Sequence, residues 1–499
     1  MKWGRRDLLK SAAWGGSALA LTGCERVTTA INRQWLGEAV PARLTVSESA
    51  EIDPEFHLLS RAAFGPWPGD LQRVKAMGRE AWIEEQLKPD SLSDTACDLR
   101  AERFESIYFS AGNAYEFRKP VLREELTRHS LLRAIYSRRQ LFEVMVEFWT
   151  DHLNIDLEKG DCIYLKPSDD RDVIRKHALG NFHDLIRASA TSPAMLVYLD
   201  GKTNKVRKET KDQPNENYAR ELMELHTMGV HGGYTQEDVR EAARCLSGWT
   251  FDTKRFFAMN QGESFFRPDW HDNGEKKVLG HLIPAGGGEQ DLSRLVDIVC
   301  THPSTAQYIA LKLCRRFVSY TPPESLLKQV SEEVTRTQGD IPSLLRIILN
   351  SEEFLASRGE LLKRPFKFMV SAMRAVGADT QAEKGILEPL QRMGHGLFQY
   401  PTPDGYPDEE LPWMGTLMWR WNFALGLAGN KQPGVQVDLR PLGQALQGTN
   451  KQPDIAKWFA HFTGRAPSKP ELNALAEIAE DSPEPVAGLI MASPAFQRC

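Results

Sequence analysis

Apolar residues recur along most of this chain at the three- and four-residue spacing of amphipathic helices. Thr235 is typical of a helix cap, and the residues Gln236 to Leu246 after it place Val239, Ala242 and Ala243 on one face. Alternating strand patterns are scarce, so the pattern predicts a mainly α-helical fold. Spacing and caps predict helices near 69–87, 120–135, 139–153, 170–189, 215–229, 236–247, 290–299, 303–317, 323–336, 341–349, 361–376, 383–394, 413–427 and 468–495.

One helical hairpin is repeated in the sequence. The segment from Phe317 to Phe354 and the segment from Phe462 to Phe496 each read as a helix, a spacer and an apolar helix closing on Ser-x-x-Phe. A repeated hairpin is a packing unit, so it predicts a large single helical body rather than independent domains. The stretches 250–289 and 396–411, rich in Gly, Pro, Asp and aromatic residues, predict two long irregular loops.

The first 24 residues resemble an export signal. A basic opening containing Arg5 and Arg6 precedes a short uncharged stretch, as in a twin-arginine signal peptide, and Leu21-Thr-Gly-Cys24 resembles a lipobox. The alternative is a plain cleaved signal with an incidental cysteine. The lipobox predicts lipid on Cys24 and a membrane-anchored protein of the cell envelope, facing the periplasm or the exterior. The expected division is a signal peptide at 1–23, a lipidated tether at 24–50 and a helical body at 51–499.

Composition narrows the partners. The 499 residues carry a net charge of −5, and no basic run follows the signal, so we expect no nucleic-acid partner. No other stretch approaches 18 uninterrupted apolar residues, so the lipid is the expected attachment to the membrane. The chain contains no fingerprint of a common hydrolase or nucleotide-binding site.

The densest polar segment runs from Asn215 to Gly229. On a regular helix Glu216, Arg220 and Glu224 form an ion-pair ladder, which is more often a solvated face than a site. Asn217 and Glu221 lie one turn apart and can present two oxygens to one ion. His226 falls on the apolar side of this helix, so a metal site would need ligands from other segments.

Two other segments offer such ligands. His152 lies on the apolar stripe of the helix near 139–153, where a hydrogen-bonded core histidine is the commoner explanation. His271 and Asp272 lie in turn-forming sequence, which commonly means only a turn. If His152, His226 and His271 converge with Glu221 or Asp151, they form a His/carboxylate site suited to a divalent zinc, iron or manganese ion.

Weaker signals lie elsewhere. The segment Tyr400 to Pro407 is a rigid turn with two tyrosines that can line a cleft. The pairs Arg315-Arg316 and Lys363-Arg364 are suited to capping helices or binding anions.

Several motifs occur in an order that resembles a known family. They are His57-Leu-Leu-Ser-Arg-Ala-Ala-Phe-Gly-Pro66, Phe148-Trp149-x-x-His152, Pro214-Asn-Glu-Asn-Tyr-Ala-Arg-Glu-Leu222, Gly229 with Gly233-Tyr-Thr235, Ser247-Gly-Trp249, His271-Asp-x-Gly-x-Lys-x-x-Leu-Gly280 and Thr402-Pro-Asp-Gly-Tyr-Pro407. Together they resemble the bacterial family called domain of unknown function 1800, from about residue 55 to the C-terminus.

The resemblance implies an exported, largely helical protein with no assigned reaction. Genes of this family often neighbour those of the exported family called domain of unknown function 1501, which resembles sulfatases. The polar signature of the family maps onto Trp149, His152, Asn215, Glu216, Asn217, Arg220, Glu221, Glu224, His271 and Asp272. Many members have a second histidine where this chain has Thr150, which weakens any site that needs two ligands from that helix.

Two function classes remain open. The first is an envelope enzyme in which a divalent ion, held by His152, His271, Asp272 and Glu221, activates water or a substrate oxygen. Glu221 would also be the candidate base, with Arg220 orienting an anion and His226 assisting. The second is a non-catalytic scaffold or maturation partner of a co-exported sulfatase-like protein. In that case Asn215, Glu216, Asn217, Glu224 and Trp149 belong to a structural polar network.

Overall fold

The computed structural model describes residues 22–206, 213–251, 262–447, 453–477 and 482–499. The expected twin-arginine motif, within residues 1–21, lies outside this part. The structure is 61% helical and 4% strand, which confirms the expected mainly α-helical fold.

The first half of the described chain contains thirteen α-helices and two π-helical turns. The α-helices are α1 Thr22–Trp35, α2 Pro54–Ala62, α3 Asp70–Met77, α4 Arg79–Gln86, α5 Thr95–Ala101, α6 Ala111–Ala114, α7 Lys119–Tyr136, α8 Gln140–His152, α9 Cys162–Asp169, α10 Phe182–Ala190, α11 Pro193–Tyr198, α12 Asn217–Glu221 and α13 Gln236–Leu246. The π-helical turns Asp170–Arg175 and Leu222–Thr227 continue α9 and α12 directly.

Fourteen further α-helices follow in the described chain. They are α14 Gln290–Thr301, α15 Pro303–Phe317, α16 Glu324–Thr337, α17 Ile341–Asn350, α18 Glu352–Ala356, α19 Pro365–Ala375, α20 Lys384–Arg392, α21 Leu411–Met414, α22 Leu417–Ala428, α23 Arg440–Gln447, α24 Ile455–Thr463, α25 Lys469–Ala476, α26 Pro483–Ala492 and α27 Pro494–Gln497. Single 3-10 turns lie at Pro89–Ser91, Glu105–Ile107, Gly201–Thr203 and Pro268–Trp270.

Six short strands form three antiparallel pairs in the described chain. They are β1 Trp249–Phe251 with β2 Ser264–Phe266, β3 Lys276–Val278 with β4 His281–Ile283, and β5 Asp379–Thr380 with β6 Val435–Gln436. The first two pairs occupy the stretch 250–289, expected to be irregular, of which 252–261 lie outside the described residues. The stretch 396–411 has no regular element before α21 begins.

Some expected helices are divided. The stretch 69–87 forms α3 and α4, because Gly78 adopts a positive φ of 88° that ends one helix before the next begins. The stretch 170–189 contains the π-helical turn that ends α9 and then α10. Helix α10 begins after Asn181, whose side chain accepts a hydrogen bond from the His183 N–H at 2.8 Å. The stretch 468–495 forms α25 and α26, and residues 478–481 between them lie outside the described part.

The repeated hairpin has the same element order in both copies. After α15, the helices α16, α17 and the short α18 follow, and after α24 come α25, α26 and the short α27. The closing Phe354 and Phe496 are both buried in the core. The repeat is therefore the packing unit that the sequence indicates.

Helix α19 lies at the centre of the body, and all eleven of its residues are buried. Its two cations bond to backbone carbonyls of other segments: Arg374 Nε donates to Gly65 O at 2.7 Å and Lys367 Nζ to Arg61 O at 3.3 Å. Because charged groups can be buried only when their donors are satisfied, these bonds hold distant segments together.

The segment expected to be a tether is docked on the body. Thr29 of α1 donates from its hydroxyl to Asp379 at 2.9 Å, and buried Asn32 donates to Ala96 O at 3.0 Å. Glu38 pairs with Arg100 at 2.7 Å. Polar groups therefore fix α1 to the body a few residues after Cys24.

No helix within the described ranges is long and apolar enough to span a membrane.

Candidate functional site

The motif-bearing segments meet at the C-terminal end of α8. The α8 segment ends at His152, and Asn154 just after it donates from its side chain to Tyr400 O at 2.9 Å and Thr402 O at 2.8 Å. Gly405 has a φ of 73°, and a Cβ there would lie 2.2 Å from Asp151 O. Only glycine fits this approach, so the loop 396–411 lies directly on the end of α8.

The π-helical turn Leu222–Thr227 brings the second motif to the same place. In this turn the Met228 N–H donates to Met223 O at 2.8 Å, which is the i to i−5 hydrogen bond of a π-helix. The wider turn rotates the side chains after α12 away from the positions they would have on a regular α-helix. His226 becomes buried, and its carbonyl contacts His152 Nε2 at 3.0 Å. The two imidazole rings lie 6.3 Å apart. His152 and His226 are therefore neighbours in the structure.

The histidine pair is neutral. Burial lowers the pKa of His152 to about 3 and that of His226 to about 4. The Nε2 of His152 is already engaged by a backbone carbonyl. That bond orients the ring as a link between α8 and the π-helical turn.

Beside His152, four charged side chains alternate in sign on facing helices. Glu147 and Asp151 lie one turn apart on α8, and Arg364, which precedes α19, contacts both, at 2.8 and 2.7 Å. Arg316 of α15 contacts the other oxygen of Glu147. All four side chains are at most 19% exposed, so solvent screens the network weakly.

A fifth and a sixth charge extend this network. Lys312, one turn before Arg316 on α15, pairs with Asp408 at 2.7 Å, where the loop 396–411 returns to the surface. The network thus contains three cations and three carboxylates. We refer to Glu147, Asp151, Lys312, Arg316, Arg364 and Asp408 as the charge network.

The two carboxyls on α8 differ in acidity. Burial alone would raise the pKa of Glu147, but Arg316 and Arg364 outweigh it and bring the pKa to about 2. Burial raises the pKa of Asp151 to about 6, an increase that Arg364 only partly offsets. A cavity of about 40 Å³ borders both groups, together with His395 and Tyr406. Two neighbouring carboxyls with separated pKa values can divide the roles of anion and proton donor.

The segment 215–229 forms one edge of the site. Arg220 pairs with Glu216 at 3.3 Å and donates to Gln236 at 2.9 Å, and Glu224 accepts from the Tyr234 hydroxyl at 3.4 Å. Burial, and then the charges of Glu224 and Asp404, raise the pKa of Glu221. Glu221 therefore lies close to the loop 396–411 at an acidic edge.

The amides and the tryptophan of the signature bond to backbone atoms. Asn217 donates from its side chain to Leu199 O at 3.0 Å, and Trp149 Nε1 donates to Ala178 O at 3.1 Å. The Asn215 side chain donates to Asp200 O at 3.4 Å. These contacts join Asn215, Asn217 and Trp149 to other segments of the chain.

His271 and Asp272 belong to a different cluster. His271 contacts Ser247 O at 2.8 Å through Nδ1 and Asp291 at 3.2 Å through Nε2, and Lys276 pairs with the same Asp291 oxygen at 2.7 Å. Asp272 pairs with Arg244 of α13 at 2.7 Å. These partners lie at the C-terminal end of α13, in β3 and in α14, and not at the end of α8.

The expected convergence of His152, His226 and His271 with a carboxylate is therefore not formed in the described structure. Within the described ranges, no three His, Cys, Asp or Glu side chains are arranged to hold a metal ion. The structure brings together His152, His226, Asp151 and the segment of Glu221, and it places His271 and Asp272 elsewhere.

Most of the charge network was missed as a site by sequence reasoning. The sequence around Arg316 and Arg364 indicates only helix caps or anion sites, and Asp408 carries no signal. Asp151 was an alternative ligand. The i, i+4 spacing of Glu147 with Asp151 and of Lys312 with Arg316 was the one available hint, since such residues share a helix face.

Comparison with curated proteins and with solved structures found no match for this chain. A family model described as "Protein of unknown function (DUF1800)" matches residues 57–498. This range includes every motif from His57 to the loop 396–411. The chain belongs to the family of domain of unknown function 1800.

Proposed function

We propose that this protein is exported by the twin-arginine route and anchored in the cell envelope by lipid on Cys24. We further propose that it acts there as a non-catalytic scaffold or maturation partner of a co-exported protein of the family called domain of unknown function 1501. One observation carries the second part: the polar signature is used to hold segments of this chain together.

The bonds of the signature support this proposal. His152, Asn217 and Trp149 each bond to a backbone carbonyl of another segment. A ligand or proton donor needs an atom directed toward a substrate, whereas these atoms are occupied within the chain. Such bonds fix the relative positions of segments and suit a protein that presents a rigid surface.

The anchor can be tested with the full precursor in cells. We expect Cys24→Ser to abolish incorporation of labelled fatty acid. We expect the double variant Arg5→Lys/Arg6→Lys to remain in the cytoplasm. Labelling of Cys24→Ser at the wild-type level would overturn the anchor.

The partner can be tested with a neighbouring gene of the 1501 family. We expect its product to reach the envelope folded only when this protein is co-expressed, and to co-purify with it. A control is Asn217→Ala, which removes the bond from Asn217 to Leu199 O and leaves the charge network intact. Normal maturation of the partner in a strain lacking this protein would contradict the scaffold proposal.

A second candidate function is acid–base catalysis on an envelope or extracellular substrate. It is favoured by the separated pKa values of Glu147 and Asp151 beside a cavity. Elemental analysis of the folded, signal-cleaved protein tests whether such an enzyme would hold a metal ion. A stoichiometric metal lost in Glu221→Ala or His152→Ala would favour an enzyme. A metal-free protein whose variants are only less stable would favour the scaffold.

A further inference from the structure

The helices α21 and α22 present a large apolar surface to solvent. Six side chains between Leu411 and Leu425 are exposed by 37–80%: Leu411, Met414, Leu417, Met418, Trp421 and Leu425. The one charged residue in the range 411–429 is Arg420, which is fully buried and bonded to Lys363 O at 2.8 Å. We refer to the six exposed side chains as the apolar face.

This apolar face is large for a soluble surface. Six large side chains exposed to this degree present on the order of 600 Å² of apolar surface, at the upper end for a monomer. The surface is also fixed in place, because Trp421 Nε1 donates to Ala492 O of α26 at 3.0 Å. The ring is therefore held with its outer side in solvent and cannot turn into the core.

The proposed lipid attachment lies close to the body. Thr29 bonds to Asp379 through both carboxylate oxygens, at 3.1 and 2.9 Å. Cys24 precedes Thr29 by five residues of α1, which is about 8 Å of helix rise. A lipid on Cys24 therefore leaves little free chain between the bilayer and the body.

The pair β5–β6 connects α1 to the segment that follows α22. Asp379, which receives Thr29, lies in β5 opposite Gln436 of β6, and β6 follows α22 within the next eight residues. Helix α1 itself exposes Val27 by 47% and Trp35 by 68%. Apolar surface thus occurs on both elements that adjoin this junction.

Charges of both signs border the apolar face: Arg392 is paired with Glu388, and Asp408, Glu409 and Glu410 directly precede Leu411. Arg392 of α20 stacks on Trp419 at 4.7 Å, and the exposed Lys431 follows the end of α22. Tryptophan and leucine side chains exposed on one side of a helix are typical of segments that lie in a membrane interface.

We propose that the apolar face of α21–α22 lies in the headgroup region of the bilayer into which the Cys24 lipid inserts. The inference rests on the proposed anchor for its choice of occupant. The lipid holds the protein at the membrane, and the apolar face fixes which side of the body is turned toward it.

Vesicle binding of the lipid-free mature chain, residues 24–499 with Cys24→Ser, tests the proposal. We expect it to sediment with vesicles of phosphatidylethanolamine and phosphatidylglycerol at 3:1. We expect the added pair Leu411→Glu/Met418→Glu to lower the partition coefficient about tenfold or more, because two apolar side chains no longer enter the interface. Both positions are exposed, so the fold tolerates the change.

The matched control is Val230→Glu/Leu282→Glu, at positions exposed by 59% and 61% outside the apolar face. We expect the control to bind vesicles like the parent. We also expect brominated lipid to quench the fluorescence of the parent more than that of Trp421→Phe. Equal binding of all variants, or no binding by the parent, would overturn the proposal.

Two further outcomes separate the alternatives. A parent that dimerises in sedimentation velocity, binds no vesicles and becomes monomeric in Leu411→Glu/Met418→Glu would assign the face to a second copy and overturn the membrane proposal. Fatty-acid labelling of the full precursor reports on the anchor independently. Vesicle binding lost in the Glu pair supports the docking face even where Cys24 takes no label.

Discussion

Arg364 holds the two carboxylates of α8, and its removal should destabilise the fold strongly. Its guanidinium lies 2.8 Å from Glu147 and 2.7 Å from Asp151, and its side chain is 11% exposed. Arg364→Met keeps much of the side-chain volume but leaves both carboxylates without this partner. Removing one member of a buried pair costs about 3–5 kcal/mol, because the remaining charge stays desolvated.

This free energy can be converted to a melting temperature. Unfolding entropy is about 2 cal/mol/K per residue, or about 1 kcal/mol/K for a chain of this length. We therefore expect Arg364→Met to lower Tm by about 3–5 °C in scanning calorimetry at pH 8. Arg392→Met is the control: its pair with Glu388 is half exposed, so it should shift Tm by no more than about 1 °C.

The loss of stability in Arg364→Met should also depend on pH. Without Arg364 the pKa of Asp151 rises further above its unfolded value, so protonation relieves the penalty as the pH falls. We expect a smaller difference from the wild type at pH 5 than at pH 8. A shift below about 1 °C, or the same shift at both pH values, would refute the reasoning that Arg364 compensates buried charge.

Three other substitutions test separate contacts. Burial raises the pKa of Asp151 from 3.8 to about 6, so the folded state favours the protonated carboxyl. This adds to the free energy of unfolding below pH 3.8, and the contribution is lost as the pH rises through 6. The Tm of Asp151→Asn relative to wild type should rise between pH 4 and pH 7, and a constant difference would contradict this. Gly405→Ala should lower Tm several degrees more than Gly394→Ala, since both have positive φ but only Gly405 abuts backbone. Asp291→Asn should lower the free energy of unfolding, measured by urea denaturation, by more than about 3 kcal/mol, because buried Lys276 loses its counter-ion. A change below about 1 kcal/mol would contradict this reasoning.

Local rules in the sequence determined most helices. Thr235 caps α13 as expected, accepting from the Asp238 N–H at 3.2 Å, and α13 spans Gln236–Leu246. A cap and an apolar period act within a few residues, so they are readable without the rest of the fold. The same holds for the order of motifs that indicates the family, and for the repeated hairpin.

The candidate site depended on contacts that periodicity does not specify. Period and spacing indicate which face of a helix is buried, but they do not say which other segment covers it. His152 and His226 meet across 74 positions, whereas His271 pairs with Asp291 in another cluster. The π-helical turn also changes the direction of the side chains after Glu221. A regular α-helix of about 3.6 residues per turn does not predict that change.

The sequence by itself determined the helical class, the family and the expected export signal, because these depend on short-range patterns. Only the tertiary structure decided that Arg364 lies between Glu147 and Asp151, more than 200 positions away. It also decided that α1 packs on the body and that the apolar face of α22 stays open. Long-range partners follow from how helices pack in three dimensions, and ion pairs form between whichever charged groups that packing brings together.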